Sequence, residues 1–435
     1  MIAREARPLK PRHLSWPAAA LLLANVWPRS SCLEAGKYDV VIFGATGFTG
    51  RLVAAHFAVA GGPVTWALAG RSRSKLEAVR DTLSVDYAPL IIADALDADS
   101  IDAMVRRARV VLSTVGPYWS YGSLLVAACA QLGVDYIDLT GESHWIWKMI
   151  REHDAAAQRS GARLVHSCGF DSIPADVGVQ LLVETAQQRY GRRLHKLHGR
   201  ILVAQGAISG GTIASIAASQ RAIAADTQVA AVLSDRHSLE HPVLDPGAAS
   251  SASDLVGVFE DPVTAEAATH STFENTDVHL VYRSAALLGR QPMTFDEFQL
   301  TNASDALLAA HGVLAFRNAR REELVATARA EPTAFAPRKL PQPGGGPTGP
   351  QRQSGYFAYL VQSDELGAEL SVTVTCDTDP GYLCTSKMVA ESAICLVTPG
   401  CALKAPAGSG TPASTLGLAL IQRLEANAGM RWLLR

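Results

Sequence analysis

The stretch "VVIFGATGFTG", residues 40–50, decides how the rest of the chain is read. Its four apolar residues, Val40 to Phe43, predict a short strand buried on both faces. Gly44, Gly47 and Gly50 follow at a spacing of three, and "RLVAAHFAVA" continues as an apolar helical run. A strand, a glycine turn and a helix N-terminus bring unpaired backbone N–H groups and the positive end of a helix dipole to one point. That makes an anion site, and glycine leaves no Cβ to hold a pyrophosphate away from the amides. Gly44, Ala45, Thr46, Gly47, Phe48, Thr49 and Gly50 are therefore candidate dinucleotide-binding residues. An ordinary strand-to-helix turn has the same local signature, so the flanking sequence must arbitrate.

The flanks repeat the pattern. "VTWALAG" (64–70), "APLIIAD" (88–94), "RVVLSTVG" (109–116), "VDYIDLTGE" (134–142) and "ARLVHSCG" (162–169) read as strands, with helical stretches between them. Strands alternating with helices of about ten to fifteen residues predict a doubly wound parallel sheet of Rossmann type. This is the context the glycine pattern requires.

Where an NAD-selective site places an acid for the ribose, the second strand ends in "AGRSRSK". Arg71 and Ser72 stand there, with no acid before Glu77. A guanidinium suits a 2′-phosphate, so the expected cofactor is NADP(H). Ligands lie beyond the carboxyl ends of parallel strands, which turns attention to the later strand ends. Val115, Gly116 and Pro117 are expected to run under the cofactor, with Tyr118 projecting toward the nicotinamide. "TGES" sets Glu142 and His144 near the same crevice, Glu142 serving a ligand or capping the following helix. In "CGFDSIPAD", Asp171 or Ser172 reads as a helix cap, with a substrate contact as the alternative for Asp171.

Hydrophobic residues make up 48% and charged residues 18% of the 435, and the net charge is −2, so nothing suggests a nucleic-acid partner. Seven scattered cysteines without a C-x-x-C pair fit a reducing, intracellular compartment rather than a disulfide scaffold. "HSC" (166–168) and "HKLH" (195–198) lack matching ligand pairs, so no metal site is expected. Residues 1–36 differ from the rest: Arg4, Arg7, Lys10 and Arg12 precede "WPAAALLLANVW", and Glu5 is the only acid before residue 34. The apolar run is too short to span a bilayer. It fits a signal-peptide core, a mitochondrial presequence, an anchor on a membrane or lipid-droplet surface, or an extension without a role.

"GATGFTG", "AGRSRSKL", "STVGPY", "DYIDLTGE" and "GFDSIPAD", in that order, resemble the saccharopine dehydrogenase-like oxidoreductases, which include trans-acting enoyl reductases of glycolipid biosynthesis. "SGGTIAS" (209–215), "YRSAALLG" (282–289), "DPGYLCTSKMVAESAICL" (379–396) and "TPASTLGLALIQRL" (411–424) extend the likeness over roughly residues 37–428. The resemblance implies an NADP-binding Rossmann domain, a second α/β domain with a mixed sheet, and a C-terminal helix returning to the first. The corresponding division is an extension (1–36), a Rossmann domain (37–190), a substrate-side domain (191–400) with loop-rich stretches at 232–275 and 337–355, and a C-terminal segment (401–435). In the second domain "GRILVAQGA", "VHLVYRSA", "GYFAYLVQS" and "AELSVTVTCD" read as strands and "TSKMVAESAICLV" as a helix.

The activity so implied is NADP(H)-dependent reduction of an enoyl, lipid- or polyketide-type small molecule. The alternative is a non-catalytic nucleotide-binding protein at a membrane or lipid-droplet surface. Tyr118, Trp119, Tyr121, Trp145 and Trp147 are available for an apolar crevice or for core packing. Tyr118, His144, Ser172 and Lys387 are the groups able to donate a hydrogen bond or a proton. None of the ten tyrosines has lysine four residues later, which excludes the usual short-chain dehydrogenase pair.

Overall fold

Val40 to Phe43 form the end of β1 (Tyr38–Phe43), and these four residues are buried from both sides. The computed structural model describes residues 37–240, 257–330, 341–342, 344–366, 370–401 and 406–435. Residues 1–36, where the targeting or anchoring segment was expected, lie outside the described residues, as do parts of both expected loop-rich stretches.

Five more short strands follow: β2 (Trp66–Gly70), β3 (Leu90–Ile92), β4 (Ala108–Ser113), β5 (Asp135–Ile137) and β6 (Arg163–Val165). All pair in parallel, with β1 between β2 and β4; Val41 lies opposite Ala67 on one side and Val111 on the other. Helices cover both faces, so both faces are apolar: Val40, Ile42 and Leu68 pack on one side, Val41, Phe43 and Val111 on the other. The chain therefore turns in opposite directions from the β1–β4 junction, and ligand crevices open at such a junction beyond the carboxyl ends of the strands.

The second sheet contains β7 (Lys196–Gln205), β8 (Phe259–Glu260), β9 (Ala267–His270), β10 (Thr294–Leu300), β11 (Tyr356–Ser363) and β12 (Ser371–Cys376). Only β7 and β10 are parallel; the other pairs are antiparallel, which gives the mixed sheet. The C-terminal region serves both sheets. β13 (Gly408–Gly410) adds to the first beside β6, and β14 (Met430–Leu434) adds to the second beside β12. Between them, helix Ala419–Asn427 packs on helix Thr385–Val397, which itself lies against the first sheet and helix Phe48–Ala60.

"VHLVYRSA" is not a strand. It lies in helix Glu274–Leu287, whose residues 276–285 are buried all round. A short apolar run buried on every side has no face to alternate, so period alone does not separate helix from strand. The strands β10 and β14 are present as well, with β10 beside β7. The expectation of reduced cysteines also fails, because Cys376 pairs with Cys384 and Cys395 with Cys401. Cys129 and Cys168 are free and buried. Both bonds close short loops where the chain reverses around helix Thr385–Val397, a proximity that scattered spacing conceals.

Candidate active site at the strand ends

Gly44 has φ of +89°, a conformation open to glycine and costly for other residues. A Cβ on Gly50 would lie 2.1 Å from the Gly44 carbonyl oxygen, so the turn closes only with glycine at both ends. Helix Phe48–Ala60 starts from Gly47 with no side-chain cap and no acid in its first turn. By contrast, Ser72, Asp97, Ser209, Asp226, Ser304 and Thr348 each cap their own helices through a side chain. The first amides of helix Phe48–Ala60, at the topological switch point, are free of any side-chain cap and so are available to an anion.

The neighbouring groups fit a phosphorylated dinucleotide. Gly70 ends β2 beside Thr46: a Cβ on it would lie 4.0 Å from the Thr46 hydroxyl. Arg71 follows, exposed and with no hydrogen bond or ion pair among the described residues. Ser72 is partly occupied, its hydroxyl accepting from the Lys75 amide at 3.5 Å. Arg51 donates to the Thr46 carbonyl (2.7 Å) and to the Gly344 carbonyl (3.0 Å), tying the glycine turn to a segment far along the chain. The Gly210 amide donates to the Gly345 carbonyl at 3.2 Å. A Cβ on Gly210 would meet the Gln342 carbonyl oxygen at 2.3 Å, so "SGGT" allows a close approach of two backbones where it opens a helix.

Val115, Gly116 and Pro117 lie at the end of β4, and the Gly116–Pro117 peptide bond is cis. Tyr118 departs from expectation. Its side chain is buried, its hydroxyl donates to the Ser113 carbonyl (3.1 Å), and its ring packs 5.3 Å from Trp145. Burial pushes its phenol well above the usual range, and the nearby Asp138 charge adds to this. Trp145 and Trp147 are core residues too, which leaves Trp119 and Tyr121 as the aromatics of that stretch with exposed surface. Glu142 caps a helix other than its own: its carboxylate accepts from the backbone N–H of Tyr118 (2.9 Å) and Trp119 (2.8 Å). Burial nonetheless raises its pKa, those two bonds opposing the shift.

The expected proton-handling residues are not gathered together. His144 is buried against Trp119, with ring centroids 5.0 Å apart, and burial lowers its pKa to about 4, so it is neutral at neutral pH. The Ser172 hydroxyl donates to the Ser167 carbonyl. Lys387 points toward the C-terminal strand, its ammonium 3.4 Å from the Ala428 carbonyl, and burial lowers its pKa.

Other groups occupy the β5 and β6 ends. Asp138 binds the His166 ring at 2.8 Å and accepts from the Ser167 amide at 2.8 Å, both fully buried. Asp171 caps nothing: Ser172 is the N-cap of helix Ile173–Tyr190, without a side-chain bond, and no hydrogen bond engages the Asp171 carboxyl among the described residues. That carboxyl lies beside Gly141, 3.4 Å from where a Cβ on Gly141 would sit, with Thr276 Oγ1 on the other side at 3.5 Å. Burial and the Glu297 charge raise its pKa to about 7. Sequence carried a weak signal for Asp171 and none for its neighbours Asp277 and Glu297, which come from a helix and a strand far along the chain. No group of three or more His, Cys, Asp or Glu among the described residues is arranged to hold a metal ion.

With a glycine turn, an uncapped helix and a basic strand end in one crevice, likeness to known proteins becomes informative. Residues 40–165 match the saccharopine dehydrogenase NADP binding domain. A Mycobacterium tuberculosis protein provisionally named trans-acting enoyl reductase is 34% identical over 414 residues, covering 90% of this chain and 96% of its own. The chain belongs to the saccharopine dehydrogenase-like oxidoreductases. A trans-acting enoyl reductase of Mycobacterium bovis is 32% identical over 410 residues, covering 89% of this chain and 96% of its own. Among solved structures, the saccharopine dehydrogenase (L-Glu forming) of Saccharomyces cerevisiae is similar, with a TM-score of 0.49, 13% identity, and coverage of 92% of this chain and 99% of that one.

As a saccharopine dehydrogenase-like oxidoreductase, the protein is an NAD(P)-dependent enzyme with NADP as cofactor. The residues that would hold it are those expected from the sequence: the amides opening helix Phe48–Ala60, Arg71 at the β2 end, and the Val115–Pro117 backbone. Among the described residues, no helix is long and apolar enough to cross a membrane.

Proposed function

We propose that this protein is an NADPH-dependent enoyl reductase acting on a lipid- or polyketide-type enoyl thioester. The observation that carries the reading is the 34% identity, across 90% of the chain, to a protein named for trans-acting enoyl reduction. Local chemistry supports it. Beyond the β6 end the surroundings are apolar: Phe170 packs in the core against Phe273 and Phe357, with ring centroids 5.4 and 4.7 Å apart. Acids rather than cations gather there, which disfavours an anionic amino-dicarboxylate. NADPH, when bound, supplies the hydride and its two electrons; the protein's part is to orient the thioester, exclude water and provide one proton.

The test is oxidation of NADPH by the full chain with enoyl thioesters of increasing acyl length, followed by the nicotinamide absorbance and by mass analysis of the product. Saturated thioester formed in step with NADPH consumed is the expected outcome. NADPH binding without turnover on any enoyl thioester refutes the assignment. A lipid-surface role for residues 14–27 belongs to the same proposal, supported by basic residues ahead of an apolar run. Full-length protein should then partition onto lipid droplets or vesicles, and a chain starting at Lys37 should not.

A further inference from the structure

Between the carboxyl ends of β5 and β6 and the second sheet lies a group of acids with no cation in ion-pair contact among the described residues. Asp171 follows β6, Asp277 sits in the first turn of helix Glu274–Leu287, and Glu297 comes from the middle of β10. Asp277 is 2% exposed and Glu297 0%, and each keeps one carboxyl oxygen, Asp277 Oδ1 and Glu297 Oε1, without a hydrogen-bond partner. The other Glu297 oxygen accepts from the Tyr359 hydroxyl at 2.6 Å. Arg200 is committed to Asp261 (2.8 Å) and Asp296 (2.5 Å), on the far side of Tyr359.

Two buried carboxylates side by side cannot both ionise, so one must hold a proton and present it to the other. Asp171 differs from that pair in being only partly buried. It opens beside Gly141 and Thr276, at the strand-end level where a ligand of the parallel sheet lies. Thr276 donates to the Gly141 carbonyl at 3.0 Å, and Ser143 donates to the Asn275 carbonyl at 2.9 Å, so both walls of this opening are fixed. The residues first expected to handle protons are already bonded to backbone carbonyls or stacked in the core. Asp171 is an acid here with a free carboxyl facing the opening.

We propose that Asp171 is the catalytic acid that protonates the substrate α-carbon, with the buried Asp277–Glu297 pair as positioning residues behind it. The assignment rests on the enoyl reductase reading above. Once hydride has reached the β-carbon, the former C=C electron pair resides on the α-carbon and the thioester oxygen. The Asp171 O–H bond breaks as the α-carbon–hydrogen bond forms, and the carboxylate regains its proton from water. The balance is enoyl thioester, NADPH and one proton giving saturated thioester and NADP⁺.

The charges near Asp171 are Glu297 on β10 and Asp277 on helix Glu274–Leu287; Tyr359 on β11 and Arg200 on β7 stand behind Glu297, and the Asp176 carboxylate of helix Ile173–Tyr190 is engaged by Ser284 and the Ala413 amide. With acids nearest, Asp171 stays protonated up to about neutral pH, its pKa being about 7. Activity should therefore fall as pH rises through that value.

The experiment compares wild type, Asp171→Asn and Glu297→Gln in the full chain. Asp171→Asn should lower kcat by roughly a hundredfold to ten-thousandfold, the range for loss of a general acid, with KM and NADPH affinity within about threefold of wild type. The alkaline limb of the wild-type profile should be absent from it. Glu297→Gln should move that limb to lower pH, because a neutral neighbour no longer holds the Asp171 proton. Infrared difference spectra of wild type minus Asp171→Asn, with and without NADPH, should isolate a protonated-carboxyl component that bleaches near neutral pH, and in Glu297→Gln that component should bleach at lower pH, while the bands of Asp176 and the Asp277–Glu297 pair stay in all spectra that keep those residues. Should Asp171→Asn not fold, the two shifts in Glu297→Gln decide. Active wild type with an equally active Asp171→Asn, or no such infrared band, overturns this assignment alone. Wild type inactive on every enoyl thioester overturns the function and the proton donor together.

Discussion

Gly47 and Gly50 are three residues apart and make different demands. Gly50 is required by the fold, since its Cβ would lie 2.1 Å from the Gly44 carbonyl oxygen. Gly47 has φ of −71° and ψ of 170°, which any residue adopts, and its Cβ would approach the same oxygen only to 3.2 Å. Gly50→Ala should therefore lower stability by about 2 kcal/mol or more, as strain at a special turn does, and lose NADPH with it. Gly47→Val should keep the fold and lose NADPH alone. Denaturant midpoints beside calorimetric titrations separate the two. Arg71→Ala tests cofactor choice at the same scale. One charge-assisted hydrogen bond is worth roughly 1.5–3 kcal/mol, so NADPH should bind about ten- to a hundredfold more weakly while NADH affinity barely changes. Equal losses for both cofactors would contradict a 2′-phosphate contact.

Among the elements, the short helix Tyr118–Tyr121 depends on a residue more than twenty positions away. Glu142 supplies its cap through two N–H bonds of 2.9 and 2.8 Å, and thereby holds the end of β4 against the end of β5. Glu142→Gln keeps one acceptor and loses the charge, so a destabilisation of about 1–2 kcal/mol is expected from denaturant titration. An unchanged midpoint would show that the cap contributes little. The doubly wound order was legible because each strand is a short apolar run followed by a turn and a helix. "VHLVYRSA" misled because burial on all sides of helix Glu274–Leu287 erases the periodicity that marks a helix.

At the level of the whole molecule, buried acids with no ion pair among the described residues lie between the two sheets, and this has a cost that depends on pH. The folded pKa of Asp171 is about 7 and that of Asp176 about 6, both above the ordinary aspartate value, and Asp277 and Glu297 are raised in the same direction by burial. Between about pH 4 and 7 the unfolded chain has released these protons while the native state keeps them, so stability from this source falls as pH rises. His144 works the other way: its pKa of about 4 leaves it neutral in the fold while the unfolded chain protonates it below about 6.5. Asp277→Asn isolates the acid contribution. Measured by denaturant titration, its stability gain over wild type should be larger at about pH 8 than at about pH 5. A gain independent of pH would mean that Asp277 titrates alike in both states.

Sequence by itself determined what is local: the strand and glycine turn of residues 40–50, the alternation of five further strands with helices, and Arg71 in place of an acid. Each is a spacing within one supersecondary unit, where neighbours in sequence are neighbours in space. Tertiary structure decided the rest. It placed β13 and β14 in different sheets, turned Tyr118 into the core, and reassigned Glu142 as a cap for a distant helix. Asp171, Asp277 and Glu297 were brought together from a turn, a helix and a strand. Nothing in a linear pattern marks an acid whose partners lie more than a hundred residues away, because its protonation is set by the surrounding charge and burial, and those exist only once the two sheets have closed.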